Sequence, residues 1–370
     1  MSKIRVLQVI GGLNRGGSET FLMNALRNIN REKYSFVFLC YGDSKYDYED
    51  EAVALGAKIV RLPDVKEAGI RTHIKDIKQV ILRERIDVVH AHTYYNSIFS
   101  LIAGKKAGAS IRIAHSHNTH SELLPKIVKR LYFVISRYLI DKYCTYRLAC
   151  SVEAGKAFFL KKRDFDVINN GININDFVFN EKTRQKFRKE FAVENNFVIG
   201  HIGRFDDQKN HNFLIDIFYE IYKLSNDAVL LLIGKGLDEE KIKEKVKNLN
   251  LGKNVHFMGI RSDVGDLMQA MDVFVFPSKY EGLGNVLIEA QAAGLKCFTS
   301  KYTVPQEAKI LDNFEYLSLD DGSKKWAARI ISSRLDASIR KDTSSLVRSA
   351  GYDMRNEVSK LEHLYSGFLQ

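Results

Sequence analysis

Residues 273–294, Val-Phe-Val-Phe-Pro-Ser-Lys-Tyr-Glu-Gly-Leu-Gly-Asn-Val-Leu-Ile-Glu-Ala-Gln-Ala-Ala-Gly, constrain the fold more tightly than any other stretch. They read as a buried strand, a sharp turn holding an acidic residue, and a helix. Gly282 and Gly284 let the backbone come close to a ligand, and a helix opening beside them offers unpaired N–H groups to something rich in oxygen. Glu289 lies about two helical turns beyond Glu281, which predicts both carboxylates on one crevice outside the carboxyl end of a parallel strand. A surface turn with a salt-bridged glutamate fits the same spacing.

The strand-turn-helix pattern recurs along the chain. Residues 4–10 are an apolar run, and residues 11–19 form a glycine loop opening onto a helix that carries Phe21, Leu22, Ala25 and Leu26, with Ser18 as its N-cap. Gly11, Gly12, Gly16 and Gly17 do not make the dinucleotide pattern Gly-x-Gly-x-x-Gly. Strands are predicted over 34–40, 58–62, 86–90 and 111–118, with a helix over 70–83 packing Ile70, Ile74, Ile77 and Ile81 on the sheet. Residues 146–152 and 166–169 complete a first parallel sheet. A second begins with 197–203, 228–234 and 254–259, takes the strand at Val273 and ends with 296–300; helices follow near Ser323 and Tyr352, while residues 328–346 show no clear period.

At 370 residues the chain suits two α/β domains. The net charge of +11 is uneven: residues 1–170 hold 28 Lys and Arg against 17 Asp and Glu, and residues 171–370 hold 28 against 28. A basic first half suits an anionic macromolecule, a phosphate-bearing substrate or an acidic membrane surface. Residues 122–147 mix Leu123, Leu124, Phe133, Val134, Ile135, Tyr138 and Ile140 with Lys126, Lys129, Arg130, Arg137 and Lys142. Those charges recur too closely for a bilayer span and fit either an interfacial amphipathic helix or a domain helix with a basic face. Cys40, Cys144, Cys150 and Cys297 form no Cys-x-x-Cys pair, and the first apolar run lacks a secretory core, so a cytoplasmic setting is expected.

Two further groups invite chemistry. Arg204 and Lys209 sit five positions apart around a strand-to-helix turn, where they form either a shared diphosphate clamp or a solvated basic pair. His115, His117 and His120 follow a strand, as His90 and His92 do, and could converge on zinc, but no carboxylate or thiol pattern completes a site. No Asp-x-Asp pair is present to hold a divalent ion.

Glu281-x7-Glu289, set in Pro277-Ser278-x-x-Glu281-Gly282-Leu283 and followed by Glu289-Ala290-x-Ala292-x-Gly294, resembles the signature of retaining nucleotide-sugar glycosyltransferases, the GT4 family. Asp272-Val-Phe-Val-Phe-Pro-Ser and Leu287-Ile-Glu-Ala-Gln-Ala-Ala-Gly are similar to its branch for capsular and exopolysaccharide repeat units, and Asn169-Asn170-Gly171-Ile172-Asn173 resembles its hinge. The resemblance implies an α/β GT-B fold, two Rossmann-like domains with parallel sheets facing across a cleft. Residues 1–172 would bind the acceptor, 173–350 the nucleotide-sugar, and 351–370 would form a helix crossing back to the first domain.

By position, the family match implies Gly16 and Gly17 over the donor diphosphate, Arg204 and Lys209 neutralising it, Glu289 accepting from the ribose, and the backbone at Ile260 holding the base. Glu281, with the backbone at Gly282, Leu283 and Gly284 and the side chain of Asn285, would hold the donor sugar. His117, with His115 as the register alternative, would contact that sugar near its reacting carbon. The donor implied is a UDP-sugar used without an essential metal, and the acceptor a saccharide on a polyprenyl diphosphate at the inner membrane face. Gly284-Asn285 departs from the apolar or Pro-containing pair of many relatives. The rival readings are a UDP-N-acetylglucosamine 2-epimerase-like enzyme and an anionic-polymer-binding protein; no aromatic-rich RNA motif or basic recognition helix supports nucleic acid.

Overall fold

Apolar strands alternating with helices resolve into two parallel sheets, one in each of two units: Met1–Gly171 with Asp353–Gln370, and Ile172–Tyr352. The computed structural model describes residues 3–117, 127–337 and 340–367. His120 and the start of the basic amphipathic stretch, residues 122–126, lie outside the described residues.

The first sheet holds β1 (Ile4–Val9), β2 (Tyr34–Tyr41), β3 (Lys58–Leu62), β4 (Val88–Ala91), β5 (Ile111–Ser116), β6 (Tyr146–Ala149) and β7 (Asp166–Val167). Their spatial order is β3-β2-β1-β4-β5-β6-β7, parallel throughout. In the second, β8 (Phe197–Ile202), β9 (Ala228–Ile233), β10 (Val255–Gly259), β11 (Val273–Phe276), β12 (Lys296–Ser300) and β13 (Phe314–Leu317) run β10-β9-β8-β11-β12-β13, again parallel. Each order reverses once, between β1 and β4 and between β8 and β11. There successive connections leave in opposite directions and open a crevice at the carboxyl ends of the strands.

Both faces of each sheet are covered, which explains the near-continuous apolar runs. Leu231, Ile233, Phe274 and Phe276 enter one core of the second unit, while Leu230, Leu232, Val273 and Val275 enter the core on the opposite face. The first unit divides likewise, with Val6, Phe36 and Phe38 on one face and Leu7, Val37 and Leu39 on the other. Full burial of one such side chain stabilises the fold by roughly 1.5–3 kcal/mol.

Local differences from the sequence reading have physical causes. The helix Gly17–Asn28 starts at Gly17 with Gly16 as N-cap, so Ser18 lies inside the first turn and its hydroxyl donates to Glu19. In the helix Ile70–Arg83, Ile77 and Ile81 are buried with His73 and Val80, and Ile74 packs partly buried against the same core; Ile70 follows Gly69, whose φ is 75°, and is 57% exposed. β13 was not anticipated from the sequence. The stretch without a clear period holds the end of the helix Gly322–Ser332, the short helix Arg334–Ala337 and the start of Ser344–Ser349. Within it Arg340 is buried and donates to the carbonyls of Met268, Gln269, Met271 and Ala293, closing the ends of the helices Val264–Ala270 and Asn285–Ala292. Burial lowers its guanidinium to about 9.

The terminal helix Met354–Ser366 belongs to the first unit and buries Met354, Val358, Leu361 and Tyr365 in the core that holds Phe21 and Phe36. It also pins the end of the first stretch of chain. Glu357 accepts from the Asn169 N–H at 2.9 Å, Asn24 donates to the Gly171 carbonyl at 3.2 Å, and a Cβ on Gly171 would lie 2.8 Å from the Met354 Cα. Only glycine allows that approach.

Candidate active site

Functional side chains gather at the reversal point of each sheet. In the second unit, β8 ends in Gly203-Arg204, β11 runs into Pro277-Ser278, and a single-turn helix, Asp207–Lys209, crosses between them. Asp206 caps that turn by accepting from the Lys209 N–H at 3.1 Å. Asn210 follows with φ 56° and donates to the Pro277 carbonyl at 3.1 Å, and the Gln208 side chain donates to the Tyr280 carbonyl at 2.8 Å. The two loops are thereby locked to each other.

This lock brings Lys209 and Glu281 together, a pairing the sequence reading did not make. Lys209 Nζ lies 2.5 Å from Glu281 Oε1, and the Ser278 hydroxyl donates to the same oxygen at 2.5 Å. The two charged side chains are only 16% and 6% exposed. The Lys209 ammonium also sits 4.9 Å from the centre of the Phe276 ring. Arg204 behaves differently: its side chain is 65% exposed and pairs with Asp206 at 3.3 Å.

The two-turn spacing of Glu281 and Glu289 does not hold, because the helix begins only at Asn285, after Gly284 at φ 79°. Glu281 therefore belongs to the turn and Glu289 to the helix. No side chain caps this helix, which leaves its first N–H groups open to an anion beside Gly282 and Leu283. Glu289 is half-buried, and among the described residues its carboxylate has no hydrogen-bond or ion-pair partner; burial pushes it up to about 7. Ile260 follows β10 directly and is 45% exposed.

Behind Lys209 two buried histidines stay neutral. His201 Nδ1 donates to the Val275 carbonyl at 2.8 Å, and burial holds the ring at about 4. His211 stacks on Phe205 with centroids 4.0 Å apart and is held at about 2 by burial, then by His201 and Lys209.

In the first unit the corresponding crevice is lined by imidazoles. His92 follows β4 and His117 follows β5, with His90 and His115 inside those strands. His92 Nδ1 and His117 Nε2 are 2.8 Å apart, and His90 Nε2 and His115 Nδ1 are 3.2 Å apart. Gln8 of β1 and Tyr365 of the terminal helix close the group, at 2.9 Å from His92 and 2.8 Å from His90 respectively. Burial lowers His117 to about 4 and the other three well below their ordinary value, so all four are neutral at neutral pH. His90, His92 and His115 bring ring nitrogens within 4.8 Å of one another, a spacing from which a metal ion could be held. Zinc would have to displace the hydrogen bonds that already use those rings.

The glycine loop stands at the same end of the sheet. Gly17 is exposed and opens an uncapped helix, and a Cβ there would meet nothing within 4 Å. Beside it a cleft at the carboxyl ends of β1–β4 is lined by Gly11, Tyr41, Asp64, His73, Thr93 and Asn96.

Sequence reasoning missed Gln8 and Tyr365. Gln8 did carry a signal, as the one uncharged polar residue in the apolar run of β1. Tyr365 gave none, because its partners lie 275 and 357 positions away.

Comparison with known proteins agrees with this architecture. Residues 15–176 match the model described as Glycosyltransferase Family 4, and residues 182–345 the model described as Glycosyl transferases group 1. A Bacillus subtilis (strain 168) protein assigned as a glycosyltransferase, EpsF, is 31% identical over 99% of this chain and 97% of its own. The Escherichia coli UDP-Gal:alpha-D-GlcNAc-diphosphoundecaprenol alpha-1,3-galactosyltransferase is 24% identical over 81% of this chain and 79% of its own. Among solved structures, Anabaena Alr3699/HepE in complex with UDP and glucose superposes with a TM-score of 0.78 at 19% identity, covering 99% of this chain and 100% of that one. With both halves matched and a relative aligned from end to end, the chain belongs to the GT-B glycosyltransferases related to the group 1 and family 4 enzymes.

Proposed function

We propose that the protein transfers a hexose or N-acetylhexosamine from a UDP-sugar to a saccharide carried on a polyprenyl diphosphate, with retention of anomeric configuration, in capsular or exopolysaccharide synthesis. The observation that carries this reading is the second unit's arrangement of an unpaired carboxylate, Glu289, on an uncapped helix that follows the Lys209–Glu281 pair. The solved relative binds UDP and glucose, and the E. coli relative is named for a UDP-sugar donor and a diphosphoundecaprenol acceptor, which supports the same chemistry here.

In this reading Glu289 accepts from the ribose hydroxyls, and backbone groups at Ile260 hold the base. Arg204 and Lys209, with the backbone at Gly16 and Gly17 close to the phosphates, neutralise the diphosphate as its charge develops on bond breaking. A metal is then unnecessary. Glu281 accepts from hydroxyls of the donor sugar while Gly282, Leu283, Gly284 and Asn285 orient it, and His117 accepts from its 6-hydroxyl. The leaving phosphate takes the acceptor's proton on the face from which it departs, which preserves configuration. Glu281 is not cast as a nucleophile, since a double displacement needs a second carboxylate about 5 Å away, and the polar contacts of the Glu281 carboxylate in its own unit are Lys209 and Ser278.

The first unit, basic and with a cleft beside its glycine loop, takes the acceptor. Its helix Ile127–Tyr143 exposes Tyr132, Val134, Ile135 and Tyr138, which suits a peripheral position on the anionic inner face of a cytoplasmic membrane. Among the described residues no helix is long and apolar enough to cross a membrane.

The test is transfer from UDP-glucose, UDP-galactose and UDP-N-acetylglucosamine to a synthetic prenyl-diphosphate N-acetylglucosamine in EDTA, with the product's anomeric configuration read by NMR. An α-linked product from an α-linked donor is expected. A β-linked product removes the retaining mechanism, and UDP-sugar consumption that needs no acceptor points to the epimerase-like alternative.

A further inference from the structure

The cleft of the first unit is built by the loops at the carboxyl ends of four neighbouring strands. Gly11 follows β1, Tyr41 ends β2, Asp64 lies just beyond β3, and Thr93 and Asn96 follow β4. Its volume is about 260 Å³, below the roughly 300–1,000 Å³ of sites for drug-sized ligands, so it suits a single sugar ring.

The groups in it match hydroxyls. Asp64 caps the short helix Val65–Ala68, its Oδ1 accepting from the Lys66 N–H at 2.7 Å; among the described residues its Oδ2 has no hydrogen-bond or ion-pair partner. Burial and then the Asp64 carboxylate raise the Tyr41 phenol, which keeps that hydroxyl protonated as a donor. One end of the Asn96 amide meets the Tyr132 hydroxyl at 2.7 Å, and whichever way the amide is turned at least one N–H is left to donate. His73 packs against Tyr41 with ring centroids 5.2 Å apart; burial lowers it, against a hydrogen bond to the Pro63 carbonyl, so it brings no charge at neutral pH.

Charge decides which part of an acceptor belongs there. No lysine or arginine is among the described residues that line the cleft, although residues 1–170 hold 28 Lys and Arg against 17 Asp and Glu. A diphosphate in it would face Asp64 with no cation to neutralise it. Adjacent sugar hydroxyls would instead find a carboxylate to donate to, with an amide and a phenol to accept from.

We propose that this cleft seats the sugar ring of the acceptor and not its diphosphate, and that Asp64 is a specificity-determining residue whose Oδ2 accepts from a hydroxyl of that ring. This rests on the reading that the first unit takes a saccharide acceptor.

The probe is methyl α-N-acetylglucosaminide, which has the ring and lacks the diphosphate, offered to the full chain saturated with UDP so that the donor crevice is filled. Saturation-transfer NMR should show the glycoside bound, and inorganic pyrophosphate should leave it bound. Asp64→Asn, whose amide oxygen can still accept from the Lys66 N–H, should weaken the glycoside about tenfold or more while UDP affinity stays within about twofold. Among monodeoxy analogues of the glycoside, one should bind the unsubstituted protein as weakly as Asp64→Asn binds the parent, and lose nothing further on that substitution. Displacement by pyrophosphate, or the same loss in Asp64→Asn for every analogue, overturns the proposal.

Transfer separates this from the transferase reading. With the UDP-sugar found active, Asp64→Asn should lower kcat/KM about tenfold or more for the prenyl-diphosphate acceptor and for the methyl glycoside alike. A loss confined to the diphosphate acceptor overturns the proposal and leaves the transferase standing. If the glycoside binds through Asp64 but no UDP-sugar is turned over, the cleft keeps its assignment and the transferase reading fails.

Discussion

The two units use one topology to opposite electrostatic ends. At the reversal point of the second sheet, opposite charges meet: Lys209 and Glu281 are paired at 2.5 Å under little solvent, and Glu289 waits unpaired one helix further on. At the reversal point of the first, four imidazoles, an amide and a phenol make a neutral network in which burial forbids charge. A crevice at strand ends therefore dictates where chemistry sits and not its kind. The side chain after each strand decides that. Charges suit a diphosphate whose negative charge grows during transfer, while neutral acceptors suit hydroxyls that must be oriented.

The comparison breaks most sharply at Glu281. Glu281→Ala should lower kcat for transfer by about 10²-fold or more while UDP affinity shifts by no more than about threefold, because the lost carboxylate is assigned to the sugar. Separate turnover and calorimetric measurements check this. Equal loss in both would make Glu281 a support for Lys209.

Glu289 sharpens the second unit's side. Glu289→Gln should weaken UDP about tenfold at pH 8. Because burial raises this carboxyl to about 7, the unsubstituted protein should lose UDP affinity as pH falls from 8 to 6 and the group protonates, and Glu289→Gln should remove that dependence. A pH-independent affinity in the unsubstituted protein would contradict the assignment.

Acid should separate the units by their histidines. A histidine whose folded pKa is depressed stabilises the fold above its unfolded value near 6.5 and loses that contribution as pH falls through the folded value. For His117, held at about 4, the loss at pH 5 is about 2 kcal/mol. With His73 and the four clustered histidines in the first unit against His201 and His211 in the second, the first should open earlier on acidification. Hydrogen exchange at pH 7.5 and 5 checks the order. The smallest effect concerns the surface: Tyr138→Ser with Ile135→Ser should reduce binding to anionic vesicles severalfold and leave binding to neutral vesicles unchanged.

Much of the fold was legible because parallel strands buried on both faces leave apolar runs that need no partner to be recognised, as in β9 or β12. Helix 70–83 was found to its ends and Ile74, Ile77 and Ile81 do pack on the core, while Ile70, the first residue after Gly69, is exposed. β13, four residues at a sheet edge, fell below the length at which a period shows. At the site, Arg204, Lys209 and Glu281 stood out by type and spacing, but the Lys209–Glu281 contact spans 72 positions and depends on Asn210 and Gln208 fastening two loops. The contacts of the histidine group were equally hidden, since Gln8 and Tyr365 reach it from other elements.

We propose that the charged crevice of the second unit is a UDP-sugar site that works without metal. Titrating UDP, GDP and ADP calorimetrically into the protein in EDTA tests it most directly. Selective UDP binding, weakened together with its salt dependence in the Arg204→Ala and Lys209→Ala double variant, is the result predicted. Equal affinity for all three nucleotides, or UDP binding that the double variant leaves unchanged, would contradict it.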